Sequence, residues 1–273
     1  MKAFIVLALL VQAEKPKTGE FKKPYGKTYA LLQVPAAYAP AKKHALIVML
    51  HGAGGKPEMY APVYRAATRK DAIVLLPAAR PKTAEEAART TYDEEDTKLV
   101  FEMIEDAMKA YAIDRDRVFL SGHSAGAAYS FWLVSQRPDL FTACAAGASG
   151  LRFEASAMKD ASHVPFYIVC GRKDPYHAEA RDSVKPLQDL GFEVKFDDPA
   201  DWTHSLNMEA WARMLAWFEG LCPPEQAALL QSARAAFDRD EPDTARSSIE
   251  KLKAMKSATA YAKKRAELLI KGR

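Results

Sequence analysis

The chain has 273 residues, of which 49% are hydrophobic and 27% are charged. This ordinary globular composition excludes fibrous, disordered and polytopic membrane chains, and the length suits one α/β domain of roughly 200 to 250 residues with a short remainder. The formal net charge is +4. Because the lysines and arginines are spread along the chain without a dense patch interleaved with aromatic residues, no nucleic-acid partner is expected.

The N-terminal residues have the pattern of a short signal peptide. Lys2 precedes the apolar run Ala3–Val11, and Ala13 ends a Val-Gln-Ala triplet that is typical of a cleavage site. The run is too short to span a bilayer, which takes about 20 residues. We expect residues 1–13 to be a signal peptide and the protein to be secreted or periplasmic. The alternative is a buried first strand in a cytoplasmic protein.

Short apolar runs alternate with longer segments of helical periodicity along most of the chain. This alternation predicts the α/β class, with a mostly parallel sheet flanked by helices on both faces. The predicted strands are Tyr29–Val34, Ala45–Leu50, Ala72–Leu76, Arg117–Leu120, Phe141–Ala146, Phe166–Cys170 and Glu193–Phe196.

Two helices between these strands are clear from the sequence. Apolar residues recur at helical spacing from Leu99 to Tyr111, after the acidic cluster Asp93–Asp96, and acidic residues stabilise a helix start. A second, more apolar helix is predicted from Ser124 to Arg137. It should end there because a following proline disfavours helical geometry.

Pro223 and Pro224 mark a boundary between a catalytic domain, residues 14–222, and a C-terminal extension, residues 223–273. The extension lacks strand-like runs, and its apolar residues recur on helical faces. We expect its helices to pack on the catalytic domain, the alternative being that they bind a protein partner. Because no candidate site residue lies beyond Pro223, truncation after Cys222 should spare the chemistry.

Cofactor and metal signals are absent from the sequence. Cys144, Cys170 and Cys222 are far apart and form no C-x-x-C pair, so no disulfide, zinc or redox site is predicted. Neither an H-x-x-x-H metal pattern nor a phosphate-binding loop occurs. The chemistry should therefore need no cofactor and no metal.

The strongest functional signal is the pentapeptide Gly122–Gly126, with the sequence Gly-His-Ser-Ala-Gly. It lies directly between a predicted strand and a predicted helix. A G-x-S-x-G turn in this context lifts the serine hydroxyl above the sheet, and its glycines allow close backbone packing. Ser124 is therefore the predicted nucleophile.

The sequence here resembles the α/β-hydrolase superfamily, over about Lys27 to Gly220. Four stretches carry the resemblance, which are Leu50–Gly55, Asp114–Gly126, Gly171–Asp174 and His204. They are most similar to compact secreted esterases, namely the polyhydroxybutyrate-depolymerase and feruloyl-esterase-like branch and its dienelactone-hydrolase relatives. The resemblance implies an α/β-hydrolase fold and a Ser–Asp–His triad.

A serine hydroxyl needs a base, and His204 is the best candidate because it lies in a loop after the last predicted strand. His177 is the rival, although it precedes that strand. The other candidates, His44, His51 and His123, are more readily explained as structural.

The base needs a buried acceptor that fixes its tautomer, and the expected chain order is serine, acid, histidine. Asp174 fits, because it follows a buried-type strand through a short turn. The alternatives are Asp182, in a predicted helix, and Asp201, close to His204 in sequence.

The oxyanion of a tetrahedral intermediate needs backbone N–H donors. Ala125 follows the nucleophile and supplies one. The loop after the strand Ala45–Leu50 should supply the second from Ala53, with Gly52 and Gly54 letting the backbone turn inward.

These residues predict a serine-dependent carboxylic ester hydrolase that works through an acyl-enzyme. About twenty residues separate the runs ending at Ala146 and starting at Phe166, too few for a cap domain, so an open site for bulky or polymer-linked esters is expected. The alternatives are a peptidase or acyltransferase with the same triad, or a binding protein that uses its C-terminal helices.

Overall fold

The computed structural model describes residues 16–69, 71–82, 92–205 and 207–271. The predicted signal peptide, residues 1–13, lies outside the described residues. The strands, in chain order, are β1 (Gly19–Tyr25), β2 (Thr28–Val34), β3 (His44–Leu50), β4 (Ile73–Pro77), β5 (Ile113–His123), β6 (Ala143–Gly147), β7 (Phe166–Val169) and β8 (Val194–Asp197). They form an eight-stranded sheet in the order β1-β2-β4-β3-β5-β6-β7-β8. β1 and β2 pair antiparallel with their neighbours, and the other strands are parallel.

Helices cover both faces of this sheet. They are α1 (Pro57–Arg69), α2 (Glu94–Ala110), α3 (Ala125–Gln136), α4 (His177–Asp182), α5 (Val184–Asp189), α6 (Met208–Leu221), α7 (Pro224–Asp238), α8 (Pro242–Ala254) and α9 (Ala260–Lys271), with a 3-10 helix at Ala155–Ala161. Successive residues of β3 alternate between two buried apolar clusters, because strand side chains point to opposite faces. One cluster includes residues of α2 and α3, and the other includes residues of α1, α6 and the C-terminal helices.

Each of the seven predicted strands overlaps an observed strand. The largest difference is β5, predicted as Arg117–Leu120 but extending from Ile113 to His123. Its early residues include Asp114 and Asp116, which are polar yet almost fully buried. The sequence pattern does not predict β1, because its lysines obscure the apolar alternation of an edge strand.

Both predicted helices are confirmed, with ends that differ by a few residues. Asp93 caps α2, and its carboxylate accepts backbone N–H bonds from Glu95 and Asp96 at 3.0 Å. The Asp96 carboxylate accepts the Asp93 N–H in return, also at 3.0 Å. The acidic cluster therefore starts the helix as a capping box.

The described part of the C-terminal extension is helical and packs against the rest of the chain. Its buried apolar residues, among them Leu230, Leu252 and Tyr261, belong to the same cluster as α6 and one face of the sheet. Ile270 is the one large hydrophobic residue of the described tail that is substantially exposed, at 44%. Among the described helices, none is long and apolar enough to cross a membrane.

Candidate active site

The serine of the pentapeptide sits on a strained turn between β5 and α3. Ser124 has φ 54° and ψ −119°, a left-handed backbone that a non-glycine residue rarely adopts. Its backbone N–H donates to the Gly147 carbonyl at 2.8 Å. A Cβ on Gly126 would lie 2.6 Å from the His51 carbonyl oxygen, so the turn requires glycine there. The fold thus exposes the Ser124 hydroxyl at the carboxyl end of β5.

The structure brings Ser124, His204 and Asp174 together in one hydrogen-bonded chain. Ser124 Oγ lies 3.0 Å from His204 Nε2. His204 Nδ1 lies 3.1 and 2.9 Å from the two carboxylate oxygens of Asp174. The Asp174 side chain is fully buried, whereas 29% of the His204 side chain is exposed. This arrangement lets the imidazole take the serine proton while the carboxylate orients the ring.

The alternative candidates for the base and the acid contact residues outside the triad. His177 Nε2 is 3.4 Å from a carboxylate oxygen of Asp198. Asp201 is exposed and pairs with Lys173 at 2.6 Å, and Asp182 pairs with Arg181 at 2.9 Å. The geometry therefore favours His204 and Asp174 for the triad.

The other histidine candidates have structural partners. His44 is buried, and its Nδ1 lies 2.9 Å from the Asp71 carboxylate. His51 Nε2 accepts the Ala79 N–H at 3.1 Å, so its Nδ1 carries the proton and donates to the Gly52 carbonyl at 2.9 Å. Burial lowers the pKa of His51, which keeps this ring neutral.

The two candidate oxyanion donors both line the cleft that contains Ser124. Ala125 is the first residue of α3, and an N–H in the first helical turn has no acceptor within the helix. Ala53 follows Gly52, where a Cβ would lie 3.2 Å from Ser124 Cβ. The glycine thus allows the loop containing Ala53 to approach the nucleophile.

The cleft above Ser124 has a volume of about 980 Å³. Aromatic side chains form much of its wall, namely Tyr92, Phe101, Tyr129, Trp132, Phe153 and Tyr176. Between β6 and β7 the chain forms only loops and the short 3-10 helix, so no cap domain arises there. The cleft has room for a bulky, partly aromatic substrate.

Tyr176 contacts both Asp174 and His204 and was not predicted from the sequence. Its N–H donates to Asp174 at 2.8 Å, and its ring centroid lies 5.0 Å from that of His204. The sequence offered only its position two residues after Asp174. Among the described residues, no group of three or more histidine, cysteine or acidic side chains could hold a metal ion.

Residues 82–200 of the chain match the prolyl oligopeptidase family. A stretch of 121 residues is 31% identical to feruloyl esterase B of Talaromyces stipitatus, covering 41% of this chain and 34% of that protein. The chain thus spans about a third of the length of this curated relative.

Solved structures also resemble the chain. A thermostable esterase superposes with a TM-score of 0.59 and 22% identity, covering 73% of this chain and 61% of the other. A ferulic acid esterase from Anaeromyces mucronatus in complex with ferulic acid has a TM-score of 0.55 and 19% identity, covering 74% and 89%. These likenesses show a shared fold, and the α/β-hydrolase fold predicted from the sequence is confirmed.

Proposed function

We propose that this chain is a serine hydrolase that cleaves carboxylic esters through an acyl-enzyme on Ser124. The hydrogen-bonded chain from Ser124 through His204 to the buried Asp174, at the floor of a wide cleft, is the observation that carries the proposal. The esterase relatives support it.

The geometry suits a two-step acyl transfer. Ser124 Oγ attacks the ester carbonyl carbon while His204 Nε2 takes the hydroxyl proton, and Asp174 stabilises the resulting imidazolium. The N–H groups of Ala53 and Ala125 stabilise the tetrahedral oxyanion. When this intermediate collapses, the alcohol leaves with the proton from His204. A water molecule, deprotonated by the same imidazole, then releases the acid and restores Ser124.

The cleft suits esters whose acyl or alcohol part is aromatic and bulky. Apolar and aromatic walls bind such groups by burying their surface. The relatives named as feruloyl esterases support hydroxycinnamoyl esters as the first substrates to test, including polymer-linked ones.

A peptidase with the same triad is the second candidate, and the match to the prolyl oligopeptidase family is the observation that favours it. An ester and an amide need the same nucleophile and oxyanion donors, so only the substrate can distinguish them. The esterase hypothesis is preferred because the curated relative, the thermostable esterase and the ferulic acid esterase are all named as esterases.

The test combines active-site labelling with a substrate panel. A fluorophosphonate probe should label the wild-type protein and should fail to label Ser124→Ala. The panel contains p-nitrophenyl acetate, a methyl hydroxycinnamate, a polyester and a peptide amide. Hydrolysis of the esters but not the amide supports the proposal. Amide cleavage at a comparable kcat/KM would favour the peptidase, and absence of labelling would contradict both.

We also propose that the enzyme is secreted or periplasmic. The signal-peptide pattern of residues 1–13 supports this location, and polymer-linked esters are accessible to an enzyme outside the cytoplasm. The C-terminal helices bury their apolar residues within this chain, which gives no support to a partner-binding role.

A further inference from the structure

Two tyrosine hydroxyls hold the loop that contains Ala53. The Tyr92 hydroxyl accepts the His51 N–H at 3.1 Å, and the Tyr60 hydroxyl accepts the Gly52 N–H at 3.0 Å. Both tyrosines are at least 96% buried. The two N–H groups that precede Ala53 are therefore satisfied inside the protein, and the Ala53 N–H is the next one along the loop.

Tyr60 also connects this loop to the nucleophile. Its hydroxyl lies 3.0 Å from His123 Nδ1, and His123 is the residue before Ser124. Burial, and after it the charge of nearby His204, lowers the pKa of His123 to about 4. The ring is therefore neutral at neutral pH. Since the Tyr60 oxygen accepts from Gly52, its own proton is available to His123.

The ring of Tyr60 is fixed by its surroundings. It lies edge-on to Trp211 with the ring centroids 6.0 Å apart, and 5.9 Å from the ring of His123. Tyr60 is on α1, which packs against the sheet. The hydroxyl therefore joins the loop containing Ala53 to the end of β5, which leads directly into Ser124 and Ala125. Each of these two segments supplies one candidate oxyanion donor.

We propose that Tyr60 is a positioning residue for the oxyanion hole. Its hydroxyl fixes the distance between the loop containing Ala53 and the turn containing Ser124. This inference rests on the proposed ester hydrolysis, because the oxyanion that forms when Ser124 attacks an ester is the group that needs both donors. Without the hydroxyl, the Gly52 N–H and His123 Nδ1 lose their common partner, and the loop can shift.

The effect should appear in the chemical step. The bound ester carries no oxyanion, and the negative charge develops only on the way to the tetrahedral intermediate, so a displaced donor lowers kcat and leaves KM nearly unchanged. Removing a donor costs about 100- to 1000-fold, and displacing one should cost less, about 10- to 100-fold for Tyr60→Phe. The rate at which a fluorophosphonate labels Ser124 should fall in parallel, because that reaction also develops negative charge on an oxygen in the hole.

Tyr64→Phe is the matched control. Tyr64 lies one turn further along α1, is fully buried, and its hydroxyl bonds Ser121 Oγ at 2.6 Å, away from the Ala53 loop. Both variants lose one buried hydroxyl from the same helix, so both should lower the melting temperature. Only Tyr60→Phe should lower kcat and the labelling rate per folded molecule.

The experiment measures kcat and KM on p-nitrophenyl acetate, the fluorophosphonate labelling rate and the melting temperature for all three proteins. Equal kcat in Tyr60→Phe and the wild type, equal losses in both variants, or a rise in KM alone would overturn the inference. If the wild type is labelled but cleaves no ester, the proposed function fails and the labelling rates still decide the role of Tyr60. A wild type that is not labelled at Ser124 overturns both.

Discussion

Asp116 joins the C-terminal helices to the sheet. It lies in β5 with a fully buried side chain, and its carboxylate pairs with Arg234 of α7 at 2.8 Å and with Arg265 of α9 at 2.7 Å. Its backbone carbonyl accepts the hydroxyl of Tyr261 at 2.7 Å. Burial alone would raise the pKa of Asp116, but the guanidiniums of Arg265 and Arg234 outweigh it and hold that pKa below its ordinary value.

Asp116→Asn removes the negative charge while keeping the shape. Breaking a buried ion pair from one side costs about 3–5 kcal/mol. The cost should be smaller here, because the Arg234 side chain is 28% exposed and can be hydrated, and the amide oxygen still accepts one bond. A loss of about 2–4 kcal/mol is therefore expected, which at about 2–4 °C per kcal/mol lowers Tm by about 4–16 °C.

Thermal unfolding followed by circular dichroism measures this loss. Glu241→Gln is the control, because it breaks an exposed pair with Arg239 in the same tail and should leave Tm unchanged. A lowered folded-state pKa means that the Asp116 contribution is present above the unfolded-state pKa of about 3.9 and is lost as the pH falls through the folded-state value. The Tm difference between wild type and Asp116→Asn should therefore narrow below about pH 4. A difference under about 2 °C at pH 7, or one that does not narrow in acid, would refute the reasoning.

Three further outcomes are expected. Asp174→Asn should lower kcat about 10,000-fold by favouring the wrong imidazole tautomer, whereas His177→Ala should retain most activity; steady-state kinetics that show the reverse would reassign the triad. Truncation after Cys222 removes no proposed site residue and should leave kcat per folded molecule within about twofold. It should lower Tm more than Asp116→Asn does, because all the contacts of the C-terminal helices are lost. An inactive but folded truncation would contradict this. Mass spectrometry of the exported protein should find an N-terminus near Glu14, and intact Met1 on the cytoplasmic protein would count against export.

The sequence predicts the central sheet well because its parallel strands are buried on both faces. Such strands appear as continuous apolar runs, as in Ala45–Leu50, and need no knowledge of their partners. The nucleophile turn is also predicted from a local pattern. Its glycines and its serine lie within five consecutive residues, so the motif is recognisable without the distant contacts that hold the turn, such as the bond from the Ser124 N–H to the Gly147 carbonyl.

The ends of β5 could not be predicted in the same way. Asp114 and Asp116 look like a polar turn. Asp114 has a local partner in Arg117 at 2.7 Å as well as Gln231, but the buried Asp116 carboxylate depends on Arg234 and Arg265. The arginines that bond Asp116 lie 118 and 149 positions further along the chain. A local pattern carries no information about such partners. The same contacts hold the C-terminal helices against the sheet.

In the loop containing Ala53, the donor position can be predicted from the sequence, but the residues that hold the loop in place cannot. Gly52 and Gly54 indicate that the backbone turns inward, and Ala53 between them is the predicted donor. An inward-turned loop must also find acceptors for its remaining N–H groups, because a buried unpaired donor is costly. The sequence therefore requires such acceptors but cannot say which residues supply them. Tyr60 becomes a candidate only when α1 is placed against the sheet, since its bond to His123 joins residues 63 positions apart.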